Sequence, residues 1–153
     1  MRVLVTGAAG QLGSAVASHF ASFADVVALG RETLDITRGA DVQRAVDAHS
    51  PDVIVNCAAY TDVDGAEDDP ATALERNAFG VLALARAAAG RGATLIHYST
   101  DFVFDGTAST PYTEEDAPNP RSTYALSKLL GEWFAADAPS HYVLRVESLF
   151  GGT

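Results

Sequence analysis

Short apolar runs bounded by glycine or proline alternate with longer stretches of helical spacing along the whole chain. Arg2-Val3-Leu4-Val5-Thr6 stops at Gly7 and reads as a buried parallel strand, because a strand covered on both faces needs no polar alternation. Ser14 to Phe23 has helical spacing, and Val26 to Leu29 is a second strand ending in Gly30-Arg31. Leu34-Asp35-Ile36-Thr37 predicts a short third strand running into a helix from about Gly39 to His49. Pro51-Asp52 leads into a fourth strand, Val53 to Asn56, and the polar, acidic stretch Thr61 to Asp69 predicts a loop. Pro70 to about Gly90 predicts a long alanine-rich helix with Asn77 inside it, where asparagine has no local advantage. Ala93 to Tyr98 is a fifth strand, followed by a turn at 102–106 and an irregular loop over 107–123 holding Pro111, Pro118 and Pro120. Ser122 or Thr123 can cap a helix running to about Ala136, and Tyr142 to Val146 is a sixth strand. This alternation predicts an α/β fold of three layers, a doubly wound parallel sheet between helices.

Composition narrows the classes of function. The 153 residues suffice for one domain with a real core and fall short of two ordinary ones. No apolar run approaches the roughly 18–20 residues of a membrane span. The N-terminus enters a strand pattern at once, without a signal-peptide core. One cysteine, Cys57, forms no internal disulfide, and four scattered histidines give no metal-ligand spacing, so a cytoplasmic chain without metal is expected. The net charge of −10 disfavours non-specific binding to nucleic acid or an anionic membrane. An anionic small molecule is still compatible, because a helix N-terminus and one arginine bind phosphate locally.

Candidate chemistry lies at the strand ends. In Gly7-Ala8-Ala9-Gly10-Gln11-Leu12-Gly13, Gly7 permits a tight turn, Gly10 lets backbone N–H groups approach a phosphate, and Gly13 lets the helix pack close to the strand. The spacing is G-x-x-G-x-x-G, not G-x-G-x-x-G, and also suits an ordinary strand-to-helix turn. Its place on the first junction favours a dinucleotide. Arg31 argues for the 2′-phosphate of NADP(H) over NAD(H), or is a solvated surface arginine. Asp35 could accept from an adenine amino group or cap the next helix. Asn77 could bridge its helix to the sheet or hold a water. Tyr124 and Lys128, four residues apart, share one helix face. An adjacent ammonium is expected to lower the phenol pKa and make a better general acid, whereas a half-buried tyrosine beside a solvated lysine is the plain alternative. The hydroxyls of Ser99 and Thr100 are expected near Tyr124 if that helix packs beside the fifth strand.

Taken together, TGAAGQLG at 6–13, NCAAY at 56–60, STDFVFDG at 99–106 and YALSK at 124–128 resemble the extended short-chain dehydrogenase/reductase family, and within it the dTDP-4-dehydrorhamnose reductases. The similarity runs over the whole chain and implies an NAD(P)-binding Rossmann fold over 1–153. Dehydratases of the family place an Asp-Glu pair after the threonine. Here Phe102 follows Asp101, which fits a reductase. The resemblance implies Thr100, Tyr124 and Lys128 as a catalytic trio reducing the 4-keto group of a dTDP-4-keto-6-deoxy sugar with NADPH. It implies Gly7, Gly10, Gln11, Leu12 and Gly13 at the pyrophosphate, with Arg31 at the 2′-phosphate. Asp35, Ile36, Ala58, Ala59 and Tyr60 would line the adenosine side, and Asn77, Tyr124 and Lys128 complete the expected cofactor contacts. Family members are roughly twice as long, so this chain reads as the cofactor half without the substrate domain, expected to bind NADP(H) with little turnover. The family's Arg-Thr/Ser-Trp after the tyrosine helix is replaced by Arg145-Val146-Glu147-Ser148-Leu149. A homodimer is compatible with the resemblance. The alternatives are an NADP-binding regulatory subunit of the methionine adenosyltransferase beta type, and a reductase or epimerase of another nucleotide-sugar.

Overall fold

Five parallel strands form one sheet in the computed structural model, which describes residues 1–151. They are β1 (Arg2–Thr6), β2 (Asp25–Leu29), β3 (Val53–Asn56), β4 (Thr94–Thr100) and β5 (His141–Val146), in the spatial order β2-β1-β3-β4-β5. The flanking helices are α1 (Gln11–Phe20), α2 (Gly39–His49), α3 (Gly65–Asp68), α4 (Pro70–Leu74), α5 (Gly80–Arg91) and α6 (Thr123–Ala135).

Leu4, Ile54 and Leu95 face one layer, where Val42 and Val46 of α2, Leu84 of α5 and Ala135 of α6 close over them. Val3, Val5 and Val55 face the other, against Val16, Ala17 and Phe20 of α1. The middle strands are therefore buried on both faces, which is why their sequences show no polar alternation. Tyr142 and Leu144 of β5 stay exposed. No helix among the described residues is long and apolar enough to cross a membrane.

Three local expectations need correction. The stretch 34–37 is not a strand, so the sheet has five strands and not six. Leu34 and Ile36 are buried in the α2–α5 layer. Between them the Asp35 carboxylate accepts from the Thr37 amide at 3.0 Å and hydroxyl at 2.8 Å, closing a turn that competes with an extended ladder. The expected loop 61–69 contains the short helix α3. The helix expected from Ser14 begins at Gln11 and ends at Phe20, because Gly10 already serves as its N-cap.

The long helix after Pro70 is interrupted by a π-helical turn, Glu75–Phe79, between α4 and α5. Asn77 lies within this turn, buried. α6 crosses it at Gly131, where an added methyl would collide with the Asn77 main-chain carbonyl. Such single π turns often mark functional sites, and this one brings α6 against the sheet.

Candidate active site

The C-terminal ends of β1, β3 and β4 open into a cleft of about 640 Å³. One wall is the glycine-rich turn. Gly7 has φ +63°, and a Cβ on it would meet the Ala58 amide nitrogen at 2.6 Å, so a side chain is excluded by both conformation and space. Gly10, Gln11 and Leu12 line the cleft at the start of α1. No side chain caps this helix and its first turn carries no acidic residue, so its partial positive charge is uncompensated. Arg31 reaches the same cleft.

Beneath the cleft lies a buried polar row across the sheet, of which Asn56 lines the cleft. Thr6, Asn56 and His97 are register partners on β1, β3 and β4. Thr6 Oγ1 donates to Asn56 Oδ1 at 2.7 Å, and the same oxygen accepts from the Ala58 amide at 3.2 Å. That leaves Asn56 Nδ2 to donate to His97 Nδ1 at 3.1 Å and puts the imidazole proton on Nε2. Burial holds the His97 pKa well below the usual histidine range, and the nearby Lys128 charge acts in the same direction. Burial pushes the Cys57 thiol up to about 12, which leaves it protonated and unreactive.

The opposite wall is α6. Ser122 Oγ accepts from the Ala125 amide at 3.2 Å, while Glu67 of α3 accepts from the Thr123 amide at 2.7 Å and hydroxyl at 2.8 Å. These bonds fix the first turn, from which Tyr124 projects. Lys128 is only 3% exposed, and its Nζ donates to the Tyr98 carbonyl at 2.6 Å. Burial brings its pKa down to about 8, with Glu132 opposing the shift. The Tyr124 phenol is pushed up, not down as the sequence led us to expect. Lost hydration is the main cause, the neighbouring Thr100 hydroxyl counters it, and the Asp101 carboxylate adds to it. The Lys128 ammonium is committed to a main-chain carbonyl and does not reverse this.

Thr100, Tyr124 and Lys128 share the cleft with the glycine-rich turn, Ala58 and Ala59. The Thr100 hydroxyl donates to Asp101 Oδ1 at 3.1 Å. Ser99 lines the same cleft as Tyr124, and its hydroxyl donates to Glu132 Oε1 at 2.5 Å. Four expected cofactor contacts lie off the cleft wall. Asp35 closes its own turn and Ile36 is core, while Tyr60 and Asn77 hold each other. Asn77 Nδ2 also donates to Ser127 Oγ of α6 at 2.9 Å, so Asn77 bridges its helix to the 57–60 segment and to α6.

Sequence reasoning missed Glu132 and Arg145. Glu132 follows Lys128 by four residues, so its place on the same helix face was legible; its partners on β4 and β5 were not. A second cavity of about 730 Å³ adjoins the cleft, sharing Val63, Asp101 and Phe102 with it and bounded by Phe104, Tyr112 and Arg145. The Phe102 ring meets Tyr124 edge-on at 6.3 Å, where the two cavities join. Among the described residues no cluster of histidine, cysteine or carboxylate side chains is arranged to hold a metal ion.

The family model described as the RmlD substrate binding domain matches residues 1–153. The dTDP-4-dehydrorhamnose reductase of Sinorhizobium fredii is 44% identical over 151 residues, covering 98% of this chain and 51% of that protein. A probable dTDP-4,6-dihydroxy-2-methyloxan-3-one 4-ketoreductase of Streptomyces antibioticus is 46% identical over 156 residues, covering all of this chain and 53% of its own. The crystal structure of dTDP-4-dehydrorhamnose reductase from Bacillus anthracis in complex with NADP superposes with a TM-score of 0.92 at 36% identity, over 95% of this chain and 53% of that one. The chain thus spans about half the length of the curated relatives it matches.

Proposed function

The chain belongs to the RmlD substrate binding domain family, and from that membership we propose that it is the cofactor-binding part of an NADPH-dependent reductase acting on the 4-keto group of dTDP-4-dehydrorhamnose. The observation that carries this reading is the placement of Thr100, Tyr124 and Lys128 directly across one cleft from an uncapped, glycine-rich helix start.

The residues present fit a dinucleotide. Gly7 and Gly13 are too crowded for side chains, which brings the helix start and the 57–59 segment close together. Gly10, Gln11 and Leu12 would hold the pyrophosphate, and Arg31 the 2′-phosphate. Bound there, NADPH would supply the hydride.

The remaining chemistry belongs to the chain. Burial keeps Tyr124 protonated at neutral pH, so its phenol can donate to the oxygen that gains charge as a ketone is reduced. Lys128, mostly charged at pH 7, favours the phenolate left behind. Thr100 can donate to the same oxygen once its hydroxyl turns from Asp101. The adjoining cavity, with its aromatic rings, would receive the sugar. In this reading the grip on the nucleotide would come from the half of the relatives that this chain does not span.

Titration of the 153-residue chain with NADPH and NADH, repeated on Arg31→Ala, tests the cofactor assignment. Tighter NADPH binding, with the preference lost in Arg31→Ala, is expected. Following NADPH oxidation with the dTDP-4-keto sugar tests the activity. Absence of oxidation by a protein that includes the relatives' second half would overturn the reductase reading.

A further inference from the structure

Behind the cleft, one carboxylate gathers three donors. Glu132 Oε1 accepts from Ser99 Oγ at 2.5 Å and from Arg145 Nε at 3.0 Å, and Oε2 accepts from Arg145 Nη2 at 2.8 Å. The Glu132 side chain is 8% exposed and that of Arg145 23%, so this paired fork is largely out of water, where it holds its geometry tightly. Glu132 stands one helical turn after Lys128 on α6, and Ser99 directly precedes Thr100 on β4. Arg145 leads outward. Its guanidinium lies 4.9 Å from the centre of the Phe104 ring and borders the second cavity.

The groups around Lys128 are few. Tyr124 and Glu132 accompany it on α6; His97, neutral, and the Tyr98 carbonyl meet it from β4. Cys57 lines the cleft from the end of β3 and is protonated. Asp101 lies across the cleft, and Arg145 approaches from β5 through Glu132. Glu132 is thus the one carboxylate on the lysine's own helix face and buried side, where a charge is least screened.

We infer that Glu132 is a positioning residue for Lys128: clamped by Ser99 and Arg145, its carboxylate keeps the buried ammonium charged and ties it to the wall of the second cavity. Without that carboxylate a buried lysine sheds its proton more readily. Anything that draws Arg145 away from Glu132 leaves more negative charge beside the lysine and strengthens its hold on the proton. As a statement about catalysis this rests on the reductase reading; as a statement about the lysine it does not.

Lys128 is the only lysine in the chain. Carbon-13 labelling of lysine therefore gives a single side-chain Cε resonance, and its titration can be followed without substrate or cofactor. The wild-type midpoint is expected near 8. In Glu132→Gln it is expected to fall by about one pH unit or more, and in Arg145→Gln to rise. A clamp that merely secures β5 would lower stability and move neither midpoint. An unchanged midpoint in folded Glu132→Gln overturns the inference. If that variant does not fold, Arg145→Gln decides it, a rise supporting the clamp and an unchanged midpoint overturning it. Neither result depends on whether the protein reduces a sugar.

Discussion

Asn77 holds the Tyr60 main chain from both sides: its Oδ1 accepts from the Tyr60 amide at 2.8 Å and its Nδ2 donates to the Tyr60 carbonyl at 3.0 Å. A side-chain amide can satisfy a donor and an acceptor on one residue at once, much as a neighbouring strand would. Here it does so from a π turn, with the third bond going to Ser127 of α6. One residue therefore joins three elements around the cleft.

Asn77→Ala is expected to cost about 2–4 kcal/mol, because the Tyr60 amide and carbonyl and the Ser127 hydroxyl all lose a partner around a buried side chain. Urea denaturation measures the loss. NADPH affinity is expected to fall with it, since the 57–60 segment borders the cleft. Unaltered stability would show that water replaces the clasp.

Tyr124→Phe keeps the ring that meets Phe102 and removes only the proton donor. In a protein that carries the proposed reductase activity, turnover is expected to fall by about 10²–10⁴-fold, while the affinity for NADPH changes little. Parallel kcat and binding measurements separate the two. An equal loss in both would make the phenol a binding group.

Lys128 gives a pH signature. Burial lowers its folded-state pKa from 10.5 to about 8, so between these values the unfolded chain binds the extra proton and stability from this group rises with pH. Below pH 8 the full cost of burying the charge is present, about 3 kcal/mol. Lys128→Met is therefore expected to be more stable than wild type at pH 7, less the lost bond to the Tyr98 carbonyl, with the advantage shrinking to nothing near pH 10.5. Taking the difference between the two proteins cancels Cys57 and the tyrosines, which titrate in the same range. A Lys128→Met protein that gains nothing at pH 7 would mean that water reaches the ammonium.

Asp105 organises the loop before α6. Its carboxylate accepts from the Thr107 hydroxyl at 2.8 Å and amide at 3.1 Å, from the Tyr112 hydroxyl at 2.8 Å and from Asn119 Nδ2 at 2.8 Å. These bonds, the Thr107 and Tyr112 hydroxyls foremost, hold its pKa far below the usual carboxylate range. The stabilisation is present above pH 3.8 and is lost as pH falls through the folded value. Asp105→Ala is expected to speed hydrogen exchange at the Thr107 and Asn119 amides at neutral pH while leaving β1 and β3 protected. Unchanged exchange at those amides would mean that the loop is held by packing alone.

The sequence by itself determined the five strands of the sheet, the turn at Gly7, and the common face of Tyr124 and Lys128, because all three rest on local rules: apolar runs, a positive φ, and a four-residue helical repeat. Tertiary structure decided the rest. Leu34 and Ile36 look like a strand in the chain, yet the sheet ends at β2 and they are buried beneath helices. Asn77 has no local purpose; its partners lie 17 and 50 residues away. The pKa direction of Tyr124 depends on burial, which no spacing encodes, and burial outweighed the lowering by the Thr100 hydroxyl. Glu132 and Arg145 are thirteen residues apart on a helix and a strand, and only the packing of α6 against β5 brings one charge to the other. Local geometry can be read along the chain, whereas solvation and long-range pairing exist only once the layers close.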